Sequence, residues 1–207
     1  MFTLKCRFCV VTCLVLIASP AWAMPMLPGT SASAVTEPDP LGGVVVAGPL
    51  PSPMIGTSFT GTLTSTVIQG DVTNPYGGLT FIYQVANSPN STDAIGRLTV
   101  NGFTGWNTDM SFQPGNGLPP TTMDRSITGN VVGFSFVAPP LGFSVLPPGS
   151  VSQVLVVQTD APDWTLSTGN LINGSIASGP VYAPVPEPVT MLLLVGSLGV
   201  GLLRRRR

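Results

Sequence analysis

Proline and glycine set the main limit on how this 207-residue chain can fold. Twenty-two prolines and 24 glycines are spread along it. Each proline removes a backbone donor and biases its predecessor away from the helix. No stretch between the terminal segments carries a helical apolar stripe with caps. Thr57 to Gln69 instead alternates, with Phe59, Gly61, Leu63, Ser65 and Val67 on one face and Ser58, Thr60, Thr62, Thr64 and Thr66 on the other. That is the period of a half-buried strand, enriched in β-branched residues. Leu79, Phe81, Tyr83 and Val85 alternate in the same way after the loop Asn74-Pro75-Tyr76-Gly77-Gly78.

Further strands are expected over Ile95–Val100, Asp109–Phe112, Val131–Val137, Val151–Thr159 and Leu171–Ile176. Turn chemistry at Asn87-Ser88-Pro89-Asn90, Pro114-Gly115-Asn116-Gly117, Pro139-Pro140, Pro147-Pro148-Gly149 and Asp160-Ala161-Pro162-Asp163 separates them. The pattern predicts an all-β class, with residues 54–183 forming a β-sandwich of about seven to nine strands. At about 130 residues such a domain buries a core without disulfides. Residues 24–53 hold Pro25, Pro28, Pro38, Pro40, Pro49, Pro51 and Pro53 and read as a semi-extended spacer, with one short strand over residues 41–47.

Charge narrows the function classes. Charged residues make up 8% of the chain, against about 25% in an ordinary soluble domain. Lys5 and Arg7 open the chain, Arg204, Arg205, Arg206 and Arg207 close it, and Arg97 and Arg125 are the cations between. All nine acids lie in the interior, which therefore carries −7 from two cations against nine acids. An acidic body excludes nucleic acid as a partner, because that binding rests on Lys and Arg contacts to phosphate. There is no histidine, which excludes His-based acid–base catalysis and His-ligated metal sites. Cys6, Cys9 and Cys13 all fall in the first 13 residues. They give no disulfide framework, zinc site or nucleophile to the rest of the chain.

Those first residues have the three parts of a secretory signal peptide. Lys5 and Arg7 form the basic region, residues 9–18 an apolar core of ten, and Ala21-x-Ala23 the small-residue cleavage pattern. The expected cut follows Ala23, and residues 1–23 form a signal helix. Ten apolar residues are too few to span a bilayer.

The other end has three ordered elements. Val185-Pro186-Glu187-Pro188 precedes an apolar run of 15 residues, 189–203, and four arginines end the chain. As a helix the run is about 22 Å long, short against a hydrocarbon core of roughly 30 Å. Flanking arginines that snorkel offset the mismatch. The arginines stay cytoplasmic, which leaves the body outside the inner membrane. Pro186 and Pro188 hold the stretch before the span extended, with Glu187 as a charged mark.

This tail, residues 184–207, resembles the PEP-CTERM sorting signal of bacteria that make extracellular polysaccharide. The resemblance rests on Pro186-Glu187-Pro188, the apolar span and the arginine cluster. It implies that an exosortase, a membrane transpeptidase-like enzyme, recognises Val185, Pro186, Glu187 and Pro188 and cuts near them. The chain would then be a substrate, held transiently in the inner membrane and passed to the cell surface or the extracellular matrix. Segments around Gly70–Leu79 and Val156–Pro162 are also similar to β-rich bodies attached to such tails. A plain single-pass anchor needs only the apolar run and the arginines, and it remains the alternative to processing.

The middle offers few chemical constellations. Asp71, Asp160 and Asp163 sit beside Gly or Pro, where Asp caps its own backbone more often than it binds Ca²⁺. No G-x-S-x-G elbow is present, and a secreted hydrolase, the third reading, would need two of the isolated acids to converge in a cleft, which spacing along the chain does not show. Tyr76, Trp106 and Trp164 lie in or next to loops, where aromatics stack on sugars or pack against a core, and core packing is favoured. Arg97 and Arg125 are expected to pair with nearby acids such as Asp93 or Asp124. The expectation is therefore a non-enzymatic, exported structural protein with no cofactor and no metal, with extracellular polysaccharide as a candidate partner. A secreted carbohydrate-binding module and a plain membrane-anchored β domain are the alternatives.

Overall fold

The computed structural model describes residues 25–38, 40–137 and 146–186. The expected signal peptide with Ala21 and Ala23, the residues Glu187 and Pro188, the apolar run expected to span the membrane and Arg204 to Arg207 lie outside them.

The described residues are all-β, with two antiparallel sheets. Eleven strands run in order: β1 (Ser31–Ser33), β2 (Val44–Ile55), β3 (Thr60–Gln69), β4 (Thr80–Asn87), β5 (Arg97–Asn101), β6 (Thr108–Gln113), β7 (Thr122–Arg125), β8 (Val131–Ser135), β9 (Val154–Thr159), β10 (Trp164–Asn173) and β11 (Ser175–Pro184). One sheet has the order β2-β3-β4-β9-β6, the other β1-β7-β8-β5-β10-β11. The alternation expected in β3 and β4 is observed: Leu63, Val67, Phe81, Tyr83 and Val85 are fully buried. From the second sheet Leu98, Val100, Val132, Phe134, Leu171 and Val181 join them in one core. The two layers pack in the manner of a sandwich.

Several expectations need correction. Much of the span read as a spacer, residues 24–53, lies in the sheets. β2 pairs with β3 from Val44↔Gln69 to Ile55↔Thr60, with register shifts near Ala47. Residues 25–38 lie along β6, through bridges at Pro25↔Asp109 and Thr36↔Phe112, and contribute β1 to the other sheet. The strand expected over Leu171–Ile176 is a hairpin instead, because Gly174 turns the chain with φ +64° and β10 and β11 pair along their whole length.

The prolines explain why β2 tolerates them. It is an edge strand, paired with β3 alone. Pro51 and Pro53 are exposed while the alternating Ser52 and Met54 are buried. A proline fits such a strand where its missing N–H would have faced solvent.

The two sheets meet most closely along β11. Ser65 interrupts the apolar inward face of β3, and its Oγ accepts the Tyr182 N–H at 3.1 Å. The Tyr83 hydroxyl donates to the Tyr182 carbonyl at 2.7 Å, and Ser52 Oγ donates to the Pro180 carbonyl. Polar side chains of one sheet thus cap the outer backbone edge of the other. Gly169 and Gly179 face each other in this hairpin. A Cβ on Gly169 would lie 2.6 Å from Leu63 Cδ2 of the opposite sheet, so a side chain there would push the layers apart.

Candidate functional site

One end of the sandwich gathers both ends of the described chain. The segment from Pro25, the loops 40–43, 70–79, 102–107, 126–130 and 160–163, and the exit at Val185-Pro186 all lie there. β11 ends at Pro184, and the next residue is held from both sides. The Val185 N–H donates to the Asp163 carbonyl at 3.2 Å. The Val185 carbonyl accepts from Trp106 Nε1 at 2.9 Å. Pro186 follows, exposed. Of the residues expected to be recognised in the tail, Val185 and Pro186 therefore sit at the lip of the fold, where the sheet gives out.

Arg125 organises this end. It is 5% exposed and does not pair with a neighbouring acid as expected. Its Nε donates to the Gly129 carbonyl at 3.0 Å and its Nη1 to the Met26 carbonyl at 3.1 Å. Its Nη2 donates to the carbonyls of Phe103 and Trp106 at 2.8 and 2.7 Å. A planar guanidinium with five donors can tie three backbone segments together in this way. Burial lowers its pKa, while Tyr76 and Asp160 favour the charged form. Arg97, in contrast, meets Asp124 in the expected way, as a two-pronged ion pair with both N···O distances 2.6 Å.

Loop 70–79 is built on two buried polar side chains. Asp71 Oδ1 accepts from Leu41 N, Thr73 N and Thr73 Oγ1, and Oδ2 from Thr80 Oγ1 and Gln158 Nε2. Burial raises its pKa, and the bonds from Thr73, Thr80, Leu41 and Gln158 outweigh that and hold it below its ordinary value. Asn74 Nδ2 donates to the Gly78 and Thr159 carbonyls at 3.1 and 3.0 Å, and its Oδ1 accepts from Tyr76 N. Gly78 fits because a Cβ there would lie 2.5 Å from the backbone of Asp160. Asp160 grips Asn107 through two bonds, N to Oδ1 at 2.8 Å and Nδ2 to Oδ2 at 2.7 Å.

Between these loops lies a small cleft of about 160 Å³, whose walls include Met26, Tyr76, Trp106, Asn107, Arg125 and Thr128. Tyr76 and Trp106 are half-buried. Burial, Asp109 and Asp160 raise the Tyr76 pKa, and Arg125 opposes them, so the phenol stays protonated. Such walls offer two aromatic faces and amide and hydroxyl groups to a small polar ligand. Trp164 stands apart, edge-on to Tyr182 at 4.9 Å and packed against the core.

Among the described residues no group of three or more potential ligands could hold a metal ion. Asp71 and Asp163 act as turn caps, Asp163 accepting from Trp164 N. Neither the hub at Arg125 nor the Asp160–Asn107 clasp is legible along the chain, because both join residues distant in sequence. Compared with protein-family models, curated proteins and solved structures, the chain matches none.

Proposed function

We propose that this chain is an exported structural protein of the cell surface or extracellular matrix, sorted through a PEP-CTERM tail and cut there by an exosortase. The observation that carries this reading is the order of elements at the C-terminus: Pro186-Glu187-Pro188, fifteen apolar residues and four arginines, behind an N-terminal signal peptide. In this reading residues 1–23 are a signal helix and residues 189–203 a transmembrane helix. The inner membrane is a transient partner, and extracellular polysaccharide is the surrounding medium. The geometry lends support, because Trp106 and Asp163 hold Val185 so that the recognition stretch begins where the folded body ends. A membrane enzyme then meets an extended segment rather than a sheet strand.

The test is the intact mass of the protein from its native cells, fraction by fraction. A body that starts at Met24, ends near Pro186 or Glu187 and lies outside the inner membrane is expected. A chain still ending at Arg207 in the inner membrane overturns processing and leaves a membrane-anchored β domain.

A second reading, a carbohydrate-binding module, is favoured by the pairing of Tyr76 and Trp106 in one cleft. Titration with polysaccharide from the same cells, against a Tyr76→Ala variant, tests it. Binding lost with Tyr76 supports the module, and equal or absent binding removes it.

A further inference from the structure

We infer that the end of the sandwich that releases Val185 rests on the bilayer surface while the tail is attached, with Leu27, Leu41, Val72 and Ile127 in the headgroup layer. The inference rests on the reading of residues 189–203 as a membrane span.

The tail has little reach. Only residues 186–188 separate the pinned Val185 from the apolar run, and three extended residues cover at most about 10 Å. Each interfacial layer of a bilayer is roughly 5–8 Å deep. A span of only about 22 Å is short for the hydrocarbon core, which draws its ends inward. The exit end therefore cannot stand clear of the headgroups.

The exit end also has an apolar character. Ile127 is 86% exposed, Val72 77%, Leu27 64% and Leu41 55%, and each lies in a loop at the exit end of the sandwich. Leu27 borders the cleft next to Thr128 and Gly129, and Val72 N bonds the Leu41 carbonyl, so the four form two neighbouring pairs. Scattered exposed apolar residues are ordinary. These four share the end that the tail brings to the membrane. Neither described arginine offers a free charge there, since Arg97 is paired with Asp124 and Arg125 is buried. Among the described residues, Asp160 and Asp163 are the accessible carboxylates beside the exit. The contact is thus apolar and suits zwitterionic rather than anionic lipid. While it lasts, the cleft of Tyr76 and Trp106 faces the bilayer, and cutting the tail uncovers it.

The test uses the chain made in a host that exports it but does not cut the tail. Once the leader is removed the protein has no cysteine. Single variants Val72→Cys and Ile127→Cys at the exit end, and Ile55→Cys and Ile176→Cys at the opposite end, are labelled with a polarity-sensitive dye. They are then reconstituted in phosphatidylcholine vesicles with brominated chains. All four positions are more than half exposed, and the melting temperature of each variant checks the fold. Dyes at 72 and 127 are expected to be quenched about twofold or more beyond those at 55 and 176. Equal quenching at both ends, in a chain that resists carbonate extraction, overturns the docking and leaves the anchor intact. A chain that carbonate strips from the vesicles overturns the anchor and the docking together.

Discussion

At the scale of single residues, the ordered loops depend on a few buried polar side chains whose every bond is specified. Asp71 is the clearest. A carboxylate that accepts five hydrogen bonds from four residues has no place for a donor. Asp71→Asn can keep its oxygen toward the Leu41 and Thr73 N–H groups, but its N–H₂ then meets Thr80 and Gln158, which must turn from donors to acceptors, and a loss of about 2 kcal/mol at neutral pH is expected. Its depressed pKa fixes the sign of the acid response. The unfolded carboxyl titrates near about pH 4. Asp71 therefore contributes its full stability above that value, and the contribution is lost as the pH falls through the lower folded value. Urea midpoints at pH 7 and pH 3 are expected to converge for wild type and Asp71→Asn. A gap unchanged at pH 3 would show that the charge plays no part. Arg125→Lys keeps a charge but not the fork that reaches four carbonyls. It is expected to cost about 2 kcal/mol or more, with faster amide exchange at Met26, whose carbonyl keeps only the Thr108 hydroxyl as donor.

At the scale of the element, the sheets leave little open edge. β1 is three residues long, residues 25–38 lie along β6, side chains from the other sheet cap β11, and β2 carries its prolines outward. Short, covered or proline-bearing edges are how β proteins avoid pairing with one another. Pro51→Thr and Pro53→Thr together, which add N–H groups to this edge strand, are expected to make sedimentation more concentration-dependent than that of the unaltered chain. Unchanged sedimentation would mean that the prolines guard nothing. Gly169→Ala forces a Cβ against Leu63 of the opposite sheet, at 2.6 Å, and should destabilise by about 1–3 kcal/mol. Gly179→Ala meets the Met54 side chain at 2.9 Å and should cost less, because a thioether moves aside. Chevron or urea measurements on the pair decide this. These features also show what was legible beforehand. β3 and β4 could be read from their alternation because one face is core and the other solvent. β2 could not, since proline breaks a strand only where its N–H is needed, and edge position is a tertiary property. β10 and β11 merge into one expected strand only if the apolar residues Leu171, Ile172 and Ile176 are weighed above Asn173-Gly174, a pair that marks a turn.

At the scale of the whole molecule, the chain closes on itself at the end where it also leaves. The tail motif was legible because its three elements follow one another in sequence. The site beside it was not, since Trp106 meets Val185 across 79 residues and Arg125 meets Met26 across 99. The same closure bears on whether residues 25–38 are a tether or part of the fold. Met26 N donates to the Thr108 carbonyl at 2.8 Å, its own carbonyl accepts from Arg125, and its side chain is 2% exposed within the common core. A residue in a spacer can be truncated at a cost within about 0.5 kcal/mol. A buried methionine reduced to alanine costs about 2–5 kcal/mol, from lost transfer energy and the cavity left behind. Met26→Ala is therefore expected to lower the urea midpoint of a single cooperative transition by that larger amount, with intrinsic fluorescence and far-UV dichroism moving together. Coincident curves with a shifted midpoint would mean that the fold includes Met26, the third residue after the expected signal-peptide cut. An unshifted midpoint would return the segment to the role of a tether. Arg125 would then be holding a strand end that the rest of the molecule does not need.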